Sequence, residues 1–273
     1  MTNEEIKMKM QKHWEYAKKL YPEDRIVGLF LQGSQNYYME DEFSDVDTKL
    51  LVIPSLDDIV LNKSPVSTTH ILDNDEHMDA KDIRIYWQTM RKGNINFIEL
   101  MFARVQIVNP LYQEEWEHVL ALREDIAFMD KLTSIKAMMG MINEKYFAME
   151  HRYPSRVEII DRFGGYDPKQ LHHLIRVTYF LQGYLSGDYT YLDLIKMENV
   201  PKDVYEWIRD IKRNGAEDLD HARLLADKYK KLAEVMYSIA KEKLSAGADS
   251  EINAAMNEVL TLILKKSIKR EIN

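Results

Sequence analysis

RIVGLFLQGSQNYYMEDEFSDVDTKLLVIPS, residues 25–55, holds two apolar runs separated by a glycine turn and a carboxylate pair. The first run, Ile26 to Leu31, has the length and the β-branched and aromatic content of a buried strand. It ends at Gln32-Gly33-Ser34, where a glycine lets backbone come close to a ligand and a hydroxyl adds a donor. Such a turn suits phosphate oxygens. Asp45-Val46-Asp47 follows, then a second apolar run from Leu50 to Ile53 that Pro54 closes. Alternate side chains of a strand share a face, so Asp45 and Asp47 point one way while Val46 points into the packing. Two carboxylates held side by side repel one another unless a cation lies between them. Oxygen donors, with no cysteine in the chain and no histidine in this stretch, suit Mg²⁺ or Mn²⁺. A phosphate turn beside such a pair is what metal-assisted nucleotide chemistry needs. Either half alone reads equally as an ordinary turn or a solvated strand edge.

Outward from this stretch, residues 3–20 carry Ile6, Met10, Trp14 and Ala17 at helical spacing, with Thr2 as cap and Pro22 beyond the end. This predicts a helix covering one face of the sheet. Residues 35–42 predict a short helix whose N-terminus adds to the phosphate site. After an irregular connection, residues 66–72 and 76–81 predict a hairpin turning at Asp73-Asn74-Asp75. Its second strand carries Asp79, a candidate third carboxylate that would complete a metal cluster and help deprotonate an attacking hydroxyl. Asp75 and Asp82 compete for that role, but Asp75 falls in the turn and Asp82 suits the cap of a helix over 83–91 that Gly93 ends. Residues 94–102 predict a second short helix, 105–108 a further strand and 112–123 another helix.

Beyond residue 125 helical periodicity takes over. A long methionine-rich helix is predicted over 127–150, another over 169–185, and further ones over 202–212, 218–244 and 250–268. The helix over 218–244 is expected to bury Leu219, Ala222, Leu225, Ala226, Tyr229, Leu232, Val235 and Met236. In the helix over 169–185, Pro168 suits the first position and Asp167 the cap. Lys169, His173 and Arg176 then share one face. By itself this trio reads equally as a solvated basic face with His173 half-buried or as a triphosphate site.

With 273 residues the chain can hold one large domain or two modest ones. The absence of cysteine suits a reducing compartment, no apolar run approaches membrane-spanning length, and the charged start lacks a signal-peptide core. A soluble cytoplasmic protein is expected. A net charge of −8 argues against a broad nucleic-acid surface, although Lys131, Lys136, Lys145, Arg152, Arg156, Arg162, Lys169 and Arg176 concentrate basic charge in the middle of the chain. No internal repeat or low-complexity segment is present.

The order Gly-Ser, ten residues, Asp-x-Asp resembles the signature of the DNA polymerase β nucleotidyltransferase superfamily. Asp79 with residues 82–102, and GYDPKQLHHLIR at 165–176, are similar to its RNA-repair-associated, RlaP-like branch. The likeness spans residues 25–190. It implies metal-binding carboxylates at Asp45, Asp47 and Asp79, a phosphate-binding turn at Gly33 and Ser34, and triphosphate contacts from Lys169, His173 and Arg176. Relatives often carry a more compact turn where this chain has Gln35-Asn36-Tyr37-Tyr38, which leaves the substrate class open. The expected fold is α+β, with a nucleotidyltransferase domain at 1–124 built on a small mixed sheet and a helical domain at 125–273 closing over the nucleotide. The expected reaction moves a nucleoside monophosphate from an NTP to an acceptor hydroxyl with pyrophosphate release. The resemblance implies an RNA end as acceptor. AMP transfer to a protein or a small molecule such as an aminoglycoside, and a non-catalytic nucleotide sensor, are the alternatives.

Overall fold

The structure, a computed structural model, describes residues 1–40 and 44–272. It is mixed α+β, with a five-stranded sheet in the N-terminal half and a helical C-terminal region. Contacts group the chain into two compact units, Met1–Met129 with Ala248–Asn273, and Asp130–Gly247.

In the first unit the elements run α1 (Asn3–Leu20), β1 (Ile26–Gln32), β2 (Asp47–Val52), α2 (Leu56–Val60), β3 (Ser67–Ile71), β4 (His77–Asp82), α3 (Ile83–Arg91), α4 (Ile95–Ile98), β5 (Gln106–Val108), α5 (Gln113–Ala121) and α6 (Arg123–Phe128). The strand order is β3-β4-β2-β1-β5, and only the β2–β4 pair is parallel among the described residues. Parallel neighbours need a crossover, and α2 with β3 supplies it.

Thr2 and Glu5 start α1 with a capping box: the Thr2 hydroxyl accepts from the Glu5 N–H, and the Glu5 carboxylate accepts from the Thr2 N–H. Its apolar stripe, Ile6, Met10, Trp14 and Ala17, packs against Leu29, Leu31, Val46, Leu50, Val52, Met78 and Ala80. These alternate positions of β1, β2 and β4, with Val46 just before β2, give one sheet face to α1. On the opposite face Phe30 meets Trp116 of α5 at 4.6 Å between ring centroids, and Tyr86 of α3 also approaches Trp116. Burying these large side chains supplies the main favourable term for the layer.

The second unit contains α7 (Lys131–Ala148), α8 (Val157–Arg162), α9 (Pro168–Ser186), α10 (Tyr191–Ile195), α11 (Lys202–Asn214) and α12 (Leu219–Lys243). Helix α9 is its centre, packed against α7, α11 and α12, and α9 buries residues around most of its circumference. The chain then returns to the first unit as α13 (Ser250–Ile272), where Lys266 meets Glu115 of α5 at 2.6 Å.

Several sequence expectations need correction. The short helix predicted over 35–42 is a 3-10 turn, Gly33–Gln35, followed by turn residues to Tyr38; Asp41 and Glu42 lie outside the described residues. The long helix over 127–150 starts only at Lys131, because the Asp130 carboxylate accepts the Thr133 N–H and caps it there. In α12 the buried seam is Ala222, Ala226, Tyr229, Ala233, Met236 and Ala240, whereas Leu232 and Val235 are exposed. Small side chains let this helix approach its neighbours closely, so the seam follows alanine and not the larger aliphatics. Helix α2, capped by Ser55, occupies a segment read as irregular. The boundary drawn at 124/125 differs from the contact grouping chiefly in α13, which packs with the first unit.

Candidate active site

Strand β1 delivers Gln32 directly opposite Asp47 of β2. The chain then turns at Gly33, whose φ of +74 is a conformation open to glycine at little cost. A Cβ placed on Gly33 would lie 3.5 Å from Asp47 Oδ2, so the glycine turn and the carboxylate are immediate neighbours. The carbonyls of Gly33 and Ser34 accept from the N–H groups of Asn36 and Met39, each at 3.0 Å, which directs the turn's acceptors into the loop. Arg104 fastens that loop from outside: its N–H reaches Asn36 Oδ1 at 3.0 Å, its Nη1 reaches the Gln35 carbonyl at 2.9 Å and Glu40 at 3.0 Å, and its guanidinium lies 4.7 Å from the Tyr38 ring centre.

Asp45 precedes β2 and is exposed, Val46 is fully buried, and Asp47 is partly exposed, as the alternation requires. Asp47 Oδ1 accepts from the His77 backbone N–H at 3.2 Å and faces His77 Nδ1 at 3.4 Å. In the parallel β2–β4 register Lys49 stands opposite Asp79. Asp47 and Asp79 therefore share a sheet face on neighbouring strands, two residues out of register. Of the rival carboxylates, Asp82 alternates to the other face, where it caps α3 through the Arg84 N–H at 2.8 Å and pairs with the Arg84 side chain. Asp75 sits in the hairpin turn at a φ of 62.

Asp79 faces two ammonium groups. Lys81 Nζ is 2.9 Å from Oδ1 and Lys49 Nζ is 3.7 Å from Oδ2, with the Thr69 hydroxyl also donating to Oδ1 at 3.3 Å. Lys49 is buried, 4.2 Å above the Phe97 ring centre, and burial pulls its ammonium below the usual range against the opposing pull of Glu99 and Asp79. Glu99, itself buried, accepts from the Tyr37 hydroxyl. Among the described residues no group of three or more His, Cys, Asp or Glu side chains is arranged to hold a metal ion. The oxygen donors of Asp45 and Asp47 fit a hard divalent cation in chemistry, whereas the Asp79 oxygens are engaged by lysine.

Sequence reasoning missed what lies beneath the carboxylate pair. Glu76, 2% exposed, accepts from Lys9 Nζ at 2.6 Å, Asn74 Nδ2 at 2.6 Å and the Val46 N–H at 3.2 Å, and it meets His13 Nε2 at 3.0 Å. His13 Nδ1 reaches the Thr48 hydroxyl at 2.8 Å. Burial alone would raise the Glu76 carboxyl, but the hydrogen bonds from Lys9, His13, Asn74 and Val46 outweigh it and hold it at about 2. No motif marks Glu76. For Lys49 a signal was available: a lysine inside an apolar strand run.

In the second unit, Asp167 caps α9 through the Lys169 N–H at 2.9 Å, and Arg156 grips its carboxylate with two bonds of 2.8 Å. Lys169, His173 and Arg176 do follow one another along α9, but not as a solvated basic face. Lys169 is exposed, His173 is partly buried, and Arg176 is only 2% exposed. Burial, reinforced by the adjacent His172 and by the cations Arg176, Lys169 and Lys145, keeps His173 neutral far below its ordinary range. The carboxylates and this helix belong to different units.

No family model matches the sequence. No curated protein matches it. Among solved structures, a nucleotidyltransferase-like protein from Exiguobacterium sibiricum 255-15 is similar over 97% of this chain and 91% of that chain, at 11% identity and a TM-score of 0.35. That likeness is too distant to carry a reading of this chain. No helix among the described residues is long and apolar enough to cross a membrane.

Proposed function

We propose that this protein is a nucleotidyltransferase that moves a nucleoside monophosphate from an NTP to an acceptor hydroxyl and releases pyrophosphate. The observation that carries the reading is the contact between the turn and the carboxylate: Gly33 at positive φ, with the space of its missing side chain 3.5 Å from Asp47 Oδ2. A bulkier residue there would stand between a phosphate and the carboxylate. The Gly33 and Ser34 carbonyls are already used within the loop. Their N–H groups and the Ser34 hydroxyl are what the turn offers to phosphate oxygens.

In this reading Asp45 and Asp47 hold a divalent cation, and Asp79 is the third carboxylate, reached where an ammonium now faces it. Mg²⁺ or Mn²⁺, when bound, supplies the Lewis acidity that polarises the phosphate and the acceptor oxygen. The buried Lys49 fixes the orientation of Asp79 and sets the charge balance of that face.

Function is grafted onto shared folds, so the acceptor needs its own test. Ribonucleotides labelled at the α-phosphate are incubated with the protein, a divalent cation, and separate pools of RNA, protein and aminoglycoside. Label on the RNA pool, lost in steeply salt-dependent fashion, identifies an RNA end. Label on protein or on a small molecule identifies those acceptors. Label on none, with nucleotide bound, contradicts the transferase and favours a sensor.

A further inference from the structure

We propose that the buried His13–Glu76 pair is a positioning device that fixes the Asp45–Asp47 carboxylates from the opposite face of the sheet. The inference rests on the nucleotidyltransferase reading only for what those carboxylates do.

The geometry is a clamp with two jaws. Glu76 Oε1 accepts the N–H of Val46 at 3.2 Å, and Val46 is the residue between the two carboxylates. His13 Nδ1 engages the hydroxyl of Thr48 at 2.8 Å, and Thr48 follows Asp47. Both jaws close on residues whose side chains point to the α1 face, so each leaves the carboxylate face untouched. The jaws are joined by the His13 Nε2 to Glu76 Oε2 contact at 3.0 Å, and Lys9 and Asn74 complete the Glu76 shell. Next in sequence, His77 donates its N–H to Asp47 Oδ1 at 3.2 Å. Helix α1 thereby does more than cover the sheet: its Lys9 and His13 tie it to the segment that carries the chemistry.

A side chain placed only for stability would have no reason to converge on the residues flanking Asp47. Apolar residues of similar volume pack at least as well there, since burying ions is costly. Groups that orient metal-binding carboxylates typically change metal affinity about 10–100-fold when removed. Glutamine at position 76 keeps an acceptor for Val46, and its amide donates to His13 in the other tautomer. Alanine keeps neither.

The test reads backbone exchange and cation binding separately in the full chain. Amide hydrogen exchange is measured in wild type, Glu76→Ala and Glu76→Gln, comparing residues 44–48 with β1. The expected result is exchange about tenfold faster at 44–48 in Glu76→Ala, protection restored in Glu76→Gln, and unchanged protection in β1. Equal loss of protection in β1 and at 44–48, or no change at 44–48, overturns the proposal. Should Glu76→Ala not fold, His13→Ala carries the same comparison through Thr48. Mn²⁺ titration then follows the free ion by electron paramagnetic resonance. Glu76→Ala is expected to weaken Mn²⁺ binding about tenfold, and Glu76→Gln to restore it. An Asp45→Asn/Asp47→Asn control separates the two claims: if it leaves Mn²⁺ binding intact, the metal-assisted reading fails while the exchange result still decides the clamp.

Discussion

At the scale of single residues, the sheet face that bears Asp47 is a balance of opposite charges held close to apolar surroundings. Asp79 is contacted by Lys81 at 2.9 Å and by Lys49 at 3.7 Å, and Lys49 is almost fully buried. An ammonium and a divalent cation compete for the same carboxylate oxygens. Replacing Lys81 by Met should therefore tighten Mn²⁺ binding severalfold, about threefold or more, because one competitor is removed. Calorimetric titration of Lys81→Met against wild type checks this, and weaker binding would place Lys81 with the metal's supporters. Gly33-Ser34 and Asp45-Val46-Asp47 were legible in the sequence because a glycine turn and a strand alternation are local properties. Glu76, His13 and Arg104 were not, because their importance comes from contacts with residues 30 or more positions away in the chain, which no local pattern encodes.

At the scale of elements, the strands and most helices followed from periodicity and caps. Helix α1, the β3–β4 hairpin and α9 with its Asp167 cap all appear where the sequence places them. The departures have physical causes. Asp130 starts α7 later than the apolar pattern suggests, and the α12 seam is chosen by alanine because close packing against α9 outweighs side-chain size. The same tightness governs α9 itself at Gly183. A Cβ there would lie 2.5 Å from a Leu194 methyl and 2.7 Å from Asn199 Nδ2, which donates to the Tyr179 carbonyl at 2.9 Å. Gly183→Ala should raise the intrinsic helix propensity of α9 yet lower stability by about 1–3 kcal/mol through overpacking. Urea unfolding decides between the two, and a stabilised Gly183→Ala would show that α10 yields freely.

At the scale of the whole molecule, buried histidines set the response to acid. Burial holds His172 neutral down to about 3, with its Nδ1 at 2.9 Å from the Ile208 carbonyl, against an ordinary 6.5. Between those values the unfolded chain takes up a proton that the folded chain refuses, so stability rises with pH. His172 should cost about 1.4 kcal/mol per pH unit as pH falls from 6.5 towards 3, and nothing above that window. His172→Asn, which keeps a donor for Ile208, should flatten that part of the acid limb in pH-dependent unfolding of the helical unit; an unchanged slope would contradict the assignment. The proposed chemistry is likewise a property of the assembled chain. Its most direct measurement is pyrophosphate release with each of the four ribonucleotides, Mg²⁺ or Mn²⁺, with and without RNA, in wild type and in the Asp45→Asn/Asp47→Asn double mutant. The account predicts metal-dependent release that the double mutant loses by about a thousandfold or more. Equal release from both proteins, or nucleotide binding with no release under any acceptor, would contradict it.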